Sequence, residues 1–207
     1  MYTLYWECLS GAVGPQTMLL EIGAPFKKVH IDMAAGEHLS PSYLSVNPAA
    51  QIPALKLPDG RFMAETTAIT LVLGERHPEA NLVPGVDAEE RPFFLTWLSY
   101  IAANVYKTFS RAWHPEQFTT DESANHLIRM RAEEDLLKFF GVLEGQVQGG
   151  SSFLKSGFSA LDIYLVMLTL WHPDREILLT THPNIAALCD SVENRPSCRT
   201  VKDDHGM

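Results

Sequence analysis

The chain has 207 residues, of which 46% are hydrophobic, and can build a sizeable core in one large domain or two small ones. Its formal net charge of −9 argues against sequence-independent binding to nucleic acid or to an anionic membrane, because both need clustered lysine and arginine. Small molecules are therefore the expected partners. The three cysteines, Cys8, Cys189 and Cys198, are too few and too irregularly spaced for a disulfide framework or a metal site. We therefore expect a cytoplasmic protein that binds no metal.

The first part of the chain alternates strands and helices. The N-terminal residues lack the basic region and long apolar core of a signal peptide, and the aromatic stretch 2–6 predicts a strand. A helix is predicted from Gly14-Pro15 to Gly23, because proline is tolerated in the first helical turn. A second strand is predicted over 27–31.

A strand, a turn and a strand are predicted over 54–57, 58–60 and 61–63, and a helix over 67–75 that ends before His77-Pro78. The order βαβ followed by ββα is typical of a thioredoxin-like α/β domain. We therefore predict that domain over residues 1–78.

Residues 79–87 break all periodicity and are predicted to be a linker before an all-helical domain over 88–207. A long amphipathic helix is indicated by apolar residues spaced three and four apart, namely Phe94, Leu98, Ile101, Val105 and Phe109. A second helix is predicted over 121–147, with Leu127, Met130, Leu137 and Phe140 facing inward.

Two further helices complete the predicted helical domain. Ser159 and Asp162 precede the apolar run 163–171 with the spacing of a capping box, in which both side chains bind backbone N–H groups at the start of a helix. The last helix is predicted over 184–193, ending at Arg195-Pro196.

The most informative segment runs from Asn47 to Leu55. Its Ile52-Pro53 bond is a candidate cis bond, because the trans preference before proline is only ~0.5 to 1 kcal/mol. A cis turn would point the N–H and C=O of Ile52 outward, where they can pair antiparallel with a short peptide. A carboxylate at Glu65 and a hydroxyl at Thr66, at the start of the next helix, suit the free amino acid end of such a ligand.

These residues resemble the glutathione transferase family, whose thioredoxin-like domain carries Asn-Pro-x-Gly-x-Ile/Val-Pro-x-Leu and then Glu-Ser-x-Ala-Ile. The helical half adds Ser159-Ala160-Leu161-Asp162, which is similar to the family's buried Ser/Thr-x-Ala-Asp box. The resemblance covers nearly the whole chain in the correct order. It implies a homodimer that binds glutathione as co-substrate and adds its sulfur to a small hydrophobic electrophile.

Three residues compete for the activation of the glutathione thiol. The resemblance places the activating residue just after the first strand, where Ser10 lies, while a turn residue without catalytic role is the alternative. Cys8 is the rival, because a cysteine near a helix N-terminus can form a mixed disulfide with glutathione. Tyr5 is third, since it lies inside the predicted strand. Glu7 replaces the family's usual proline.

For the other end of the ligand, Gly36-Glu37-His38-Leu39-Ser40-Pro41 resembles a plant-type segment in which histidine and lysine reach the glycine carboxylate. Only His38 is retained, and Gln51 is a second candidate donor. An exposed loop residue is the alternative for each. Ala50 occupies a position that is often glycine, so we expect a differently shaped loop, because alanine disfavours a positive φ.

The electrophile is expected between the domains, along the long helix. Tyr106, Ser110 and Trp113 share one helical face, with Lys107 beside them, and the stretch resembles the His-Lys-x-Phe-Ser of bacterial beta-type transferases with tyrosine in place of histidine. Core packing is the alternative for the aromatic residues.

Three functions remain open from sequence. The first is transfer of the glutathione thiolate to an electrophile through Ser10. The second is glutathione-dependent thiol exchange or peroxide reduction through Cys8. The third is a non-catalytic protein that binds glutathione or another ligand, which the losses at Ala50 and Leu39 favour.

Overall fold

The computed structural model describes residues 1–148 and 150–207. By their internal contacts they divide into two compact units, one of residues 1–91 with 192–207 and one of residues 92–191. The last segment, which the sequence analysis placed in the helical domain, therefore groups with the first unit.

The first unit contains a mixed four-stranded sheet. Its strands are β1 (Tyr2–Trp6), β2 (Phe26–His30), β3 (Ala54–Lys56) and β4 (Phe62–Ala64), in the order β2-β1-β3-β4. β1 is parallel to β2 and antiparallel to β3, and β3 is antiparallel to β4. This arrangement confirms the predicted thioredoxin-like fold.

Helices accompany the sheet in the first unit. They are α1 (Val13–Ile22), the short α2 (Pro41–Leu44) and α3 (Thr66–Arg76). Apolar side chains from β1, α1, β3 and α3 form the core of this unit, including Leu4, Leu19, Leu55, Ile69 and Leu73.

The second unit is helical. Its long first helix consists of α4 (Arg91–Tyr100), a π-helical stretch (Ile101–Tyr106) and α5 (Lys107–Trp113). The later helices are α6 (Asn125–Glu144), α7 (Ala160–Leu170), α8 (Arg175–Thr181) and α9 (Pro183–Glu193), the last of which ends in the first unit's range. The predicted apolar face of the long helix is confirmed, since Phe94, Leu98, Ile101, Val105 and Phe109 are all buried. No helix in the described ranges is long and apolar enough to cross a membrane.

The predicted inward face of α6 is wrong in three of its four residues. Leu127, Met130 and Leu137 are 58%, 54% and 57% exposed, whereas Phe140 is buried. Two stripes on this helix satisfy the helical spacing, and the buried one, Ala132, Leu136, Phe140 and Leu143, packs against α5. The small side chain of Ala132 permits this close contact.

The helix over residues 183–193 is not the last. Pro196 begins a further helix, α10 (Pro196–His205), because the fixed φ of proline and its missing N–H suit the first helical position. Helix α10 packs against α1, and this contact draws the segment into the first unit.

The predicted capping box of α7 is confirmed. The buried Asp162 carboxylate accepts the N–H of Phe153 and the N–H of Ser159, both at 2.6 Å, and the Ser159 hydroxyl at 3.0 Å. Burial raises the pKa of Asp162 to about 6, although these hydrogen bonds oppose the rise. One side chain thus satisfies three donors at the start of a helix that is buried along almost its whole length.

Candidate functional site

Three chain segments meet at one edge of the sheet. Pairing of β1 with β3 places Tyr5 opposite Ala54, and pairing of β3 with β4 places Ala54 opposite Ala64. The residues just beyond these pairs therefore share the same edge. They belong to the loop that follows β1, the Ile52-Pro53 turn and the start of α3.

The turn leaves two backbone groups open. The Ile52–Pro53 bond is cis, as predicted. Within the described residues, neither the N–H nor the C=O of Ile52 forms a hydrogen bond. The neighbouring carbonyl of Gln51, by contrast, accepts hydrogen bonds from Tyr43 Oη and Asn47 Nδ2, both at 2.7 Å. These two bonds fix the turn, and Ile52 presents a donor and an acceptor to an extended peptide.

Glu65 holds an unusual backbone conformation beside this turn. Its φ of 66° lies in the left-handed region, which is uncommon for a residue with a side chain. The exposed carboxylate neither caps α3 nor forms a hydrogen bond or ion pair with any described residue. The first N–H groups of α3, at Thr66 and beyond, are left uncapped and carry partial positive charge. This end of the edge therefore offers a carboxylate, the Thr66 hydroxyl and free N–H donors together.

Ala50 keeps the conformation that glycine would adopt. Its φ is 55°, in the left-handed region. The expectation that alanine would avoid a positive φ here is therefore wrong. The Ala50 N–H donates to the Asn47 carbonyl at 3.0 Å, which closes a local turn. The loop therefore retains its turn at the cost of local strain.

Replacing Ala50 by glycine is expected to stabilise the protein by about 0.5 to 1 kcal/mol. Glycine removes the roughly 1 to 2 kcal/mol cost of the left-handed conformation. Its greater freedom in the unfolded chain reduces this gain in stability by about 0.4 to 1 kcal/mol. Urea unfolding measures the difference. Ala49→Gly is the control, because Ala49 does not hold a positive φ, and it should be neutral or destabilising. A destabilised Ala50→Gly variant would contradict this account of the turn.

The two residues predicted at the other end of the ligand differ in their surroundings. His38 lies in a short helical turn, Glu37–Leu39, and its buried Nδ1 has no partner in the described part of the chain. Gln51 is exposed, and its backbone carbonyl is bound while its side chain forms no hydrogen bond with a described residue.

The three competing residues lie in different surroundings, Tyr5 within β1 and Cys8 and Ser10 in the loop after it. The Ser10 hydroxyl donates to the Glu7 carbonyl at 2.7 Å and accepts the N–H of Ala12 at 3.2 Å. Cys8 carries an exposed free thiol. Tyr5 packs edge-on against Tyr43, with its ring centroid 5.9 Å away. Helix α1 begins only at Val13, so Ser10 lies before it rather than in its first turn.

Glu7, an apparent departure from the family pattern, ties this loop in place. Its carboxylate accepts the N–H of Cys8 at 2.7 Å and the N–H of Met33 at 3.0 Å, and lies 2.9 Å from His30 Nε2. Burial alone would raise the pKa of Glu7, but the hydrogen bonds from Met33, His30 and Cys8 outweigh it and the pKa is lowered. Glu7 thus joins the loop after β1 to the loop after β2.

In the second unit, the residues predicted for the electrophile follow one another along the π-helical stretch and α5. Tyr106 ends the π-helical stretch and packs edge-on against Trp171 at 5.0 Å between ring centroids. Trp113 is half exposed, and its indole N–H donates to the Trp171 carbonyl at 3.1 Å. Ser110 is partly buried, and Lys107 is exposed. Trp171 is thus the residue that links Tyr106 and Trp113.

Sequence reasoning missed His205, whose ring contacts the loop after β1. Its Nδ1 accepts the N–H of Leu9 at 3.1 Å. The sequence pattern that predicts this helix is Pro196 at its start, followed at helical spacing by Cys198, Val201 and His205. In residues 1–148 and 150–207, no three His, Cys, Asp or Glu side chains form a group that could hold a metal ion.

Known proteins are similar to this chain along most of its length. The family model of the glutathione S-transferase N-terminal domain matches residues 15–76. The GST-like protein YncG of Escherichia coli K12 is 29% identical over 192 residues, which cover 92% of each chain. Glutathione S-transferase GstA of Escherichia coli O157:H7 is 27% identical over 205 residues, which cover 99% of this chain and 98% of GstA.

A solved structure shows the same fold. The glutathione transferase homologue from Sulfitobacter, crystallised with bound glutathione, has a TM-score of 0.92 at 24% identity. The superposition covers 100% of this chain and 99% of that protein. The likeness therefore extends over both compact units.

Proposed function

We propose that the chain, as a member of the glutathione S-transferase family, binds glutathione at the sheet edge and adds the sulfur to a small hydrophobic electrophile. Two features found together carry this proposal. The backbone N–H and C=O of Ile52 have no hydrogen-bond partner among the described residues, and the Glu65 carboxylate lies without a partner at the uncapped start of α3. Glutathione is a short peptide with a free amino acid end, and it matches both features.

The proposed binding mode assigns each part of the ligand to a described group. The cysteine backbone of glutathione pairs antiparallel with Ile52. Its amino group binds the Glu65 carboxylate, and the neighbouring carboxylate binds the Thr66 hydroxyl and the first N–H groups of α3. The glycine carboxylate lies toward His38 and Gln51. The thiol then lies toward the loop that contains Cys8 and Ser10.

Activation of the thiol is the main catalytic requirement. A thiol with a pKa of about 8.5 is only a few per cent ionised at pH 7, and lowering that pKa by about two units takes ~2.7 kcal/mol of thiolate stabilisation. The Ser10 hydroxyl has one proton, which it donates in a hydrogen bond to the Glu7 backbone carbonyl. A hydrogen bond to a charged group contributes about 1.5 to 3 kcal/mol, against about 0.5 to 1.5 kcal/mol for a neutral pair. We therefore expect a bound thiolate to replace the Glu7 carbonyl as the acceptor of the Ser10 hydroxyl. Once bound, the thiolate attacks the electrophile with both reactants held in place.

Replacing Ser10 by alanine is expected to lower kcat/KM for conjugation of an aryl halide by about 10- to 100-fold, the loss of one hydroxyl donor to the thiolate. Cys8→Ala should retain conjugation. The comparison is made under the same conditions with both purified variants, and glutathione affinity is measured for each by calorimetry. Full conjugation by Ser10→Ala would exclude Ser10 as the activating residue.

A second function is favoured by one observation, the exposed free thiol of Cys8. In this reaction the Cys8 thiolate attacks a mixed disulfide of glutathione, forms a Cys8–glutathione disulfide and releases the substrate as its thiol. A second glutathione thiolate then attacks that disulfide, restores Cys8 and leaves as glutathione disulfide. Loss of this exchange with Cys8→Ala, together with intact exchange by Ser10→Ala, would establish it.

Binding itself is tested by calorimetry with glutathione and with cysteinylglycine, which lacks the γ-glutamyl end. We expect glutathione to bind at millimolar concentration or below, and cysteinylglycine to bind more weakly. Failure of glutathione to bind at millimolar concentration would remove the proposed function. The homodimer and the cytoplasmic location remain predictions, which the mass of the protein in solution and cell fractionation check.

A further inference from the structure

Helix α10 reaches the loop that contains the two candidate thiol-activating residues. Leu9, between Cys8 and Ser10, has a φ of 55° in the left-handed region, which is rare for leucine. Its side chain is 52% exposed, so packing does not account for this conformation. The Leu9 N–H, however, donates to Nδ1 of His205, which is only 2% exposed.

This hydrogen bond is the last of a connected series. His205 Nε2 lies 3.1 Å from Gln16 Oε1, and Gln16 Nε2 donates to Asp204 Oδ2 at 2.5 Å. Lys28 Nζ binds the same Asp204 oxygen at 2.5 Å. The series therefore joins α1, β2 and α10 to the loop after β1.

The series fixes the state of the His205 ring. A backbone N–H can only donate, so Nδ1 must accept from Leu9 and the ring proton must lie on Nε2, where it donates to the Gln16 oxygen. Every bond then has one donor and one acceptor, down to the Asp204 carboxylate. Only neutral His205 with the proton on Nε2 satisfies all of them.

The surroundings of His205 favour this neutral ring. Burial first and the positive charge of Lys28 second lower the pKa of His205 to about 4, although Asp204 and Glu7 oppose the shift. Trp6 packs edge-on against the ring at 4.9 Å and excludes water from one side. His205 is therefore neutral at pH 7 and accepts the Leu9 N–H throughout the neutral range.

We propose that His205 is a positioning residue: by accepting the Leu9 N–H it holds Leu9 in the left-handed conformation and so sets the directions of Cys8 and Ser10. This proposal rests on the proposed function, because it concerns the loop that would face the glutathione sulfur. The proposed binding mode assigns no part of glutathione to His205. His205 acts through the backbone of one loop residue.

Two substitutions separate this role from simple packing. His205→Asn retains an acceptor near the position of Nδ1, whereas His205→Gln retains a donor near the position of Nε2. We expect His205→Asn to keep the Leu9 N–H protected from hydrogen exchange and His205→Gln to reduce that protection about tenfold or more, as local opening becomes easier. For conjugation, kcat should fall about tenfold with His205→Gln and little with His205→Asn, because a small misplacement of reacting groups is costly. KM for glutathione should change little in both, since Ile52 and Glu65 lie on other segments.

A readout without glutathione keeps the test independent of the proposed function. Cys8 is exposed while Cys189 and Cys198 are buried, so alkylation of the native protein by iodoacetamide reports Cys8. We expect the alkylation rate of His205→Asn to match the unmodified protein and that of His205→Gln to differ. If the protein fails to bind glutathione but the two variants still differ in the protection of the Leu9 N–H and in the alkylation of Cys8, the positioning role is supported and the proposed function is not. Equal behaviour of the two variants, or an unprotected Leu9 N–H in the unmodified protein, would overturn it.

Discussion

Replacing Asp162 by alanine is expected to lower the free energy of unfolding by about 3 to 5 kcal/mol, because it leaves three buried donors without an acceptor and each unsatisfied donor costs about 1 to 3 kcal/mol. The donors are the N–H of Phe153, the N–H of Ser159 and the Ser159 hydroxyl. Local relaxation and entry of water recover part of the sum. A loss of this size is a large fraction of the stability of an ordinary domain.

The effect is measured by urea unfolding, with Asp121→Ala as the matched control. Asp121 also accepts a backbone N–H and a hydroxyl, both from Ser123, but it is exposed. We expect that variant to lose only about 0.5 to 1 kcal/mol, because water replaces the lost acceptor. Equal losses for the two variants would show that the Asp162 network does not depend on burial.

Replacing Glu65 by glutamine is expected to weaken glutathione binding by roughly 10- to 100-fold, because the amino group of the ligand loses a charged partner worth about 1.5 to 3 kcal/mol. Glutamine keeps the size and an acceptor oxygen, so the change isolates the charge. Stability should change little, since the carboxylate has no partner among the described residues.

Two controls make this result specific. Glu89→Gln removes the same charge from an exposed position in the first unit and should leave the affinity unchanged. Cysteinylglycine lacks the γ-glutamyl group, so its affinity should be insensitive to Glu65→Gln. An equal loss of affinity for glutathione in Glu65→Gln and Glu89→Gln would indicate a general electrostatic effect rather than direct contact.

The parts of the fold that were predictable rest on local rules. Proline after Ile52 gave the cis turn, and Ser159 with Asp162 gave the capping box, because both depend on neighbours within a few residues. The stripe of Leu127 on α6 was misassigned, because helical spacing identifies apolar faces but not which of two faces packs against α5.

The candidate site divides in the same way. Ile52 and Glu65 were predicted from short motifs of neighbouring residues, and their role in binding glutathione stays a prediction. His205 was missed, because its bond to Leu9 joins residues 196 positions apart and depends on how α10 packs against α1. Glu7 was taken as a departure from the family, yet its contacts with Met33 and Cys8 give it a structural role that only the fold reveals.

We propose that glutathione occupies the sheet edge between the Ile52-Pro53 turn and the start of α3, and a crystal structure of the protein with glutathione tests this placement. We expect the cysteine backbone of the ligand to form hydrogen bonds with the N–H and C=O of Ile52, and its amino acid end to contact Glu65 and Thr66. Glutathione bound elsewhere on the protein, or bound at this edge without contacting Ile52 and Glu65, would contradict it.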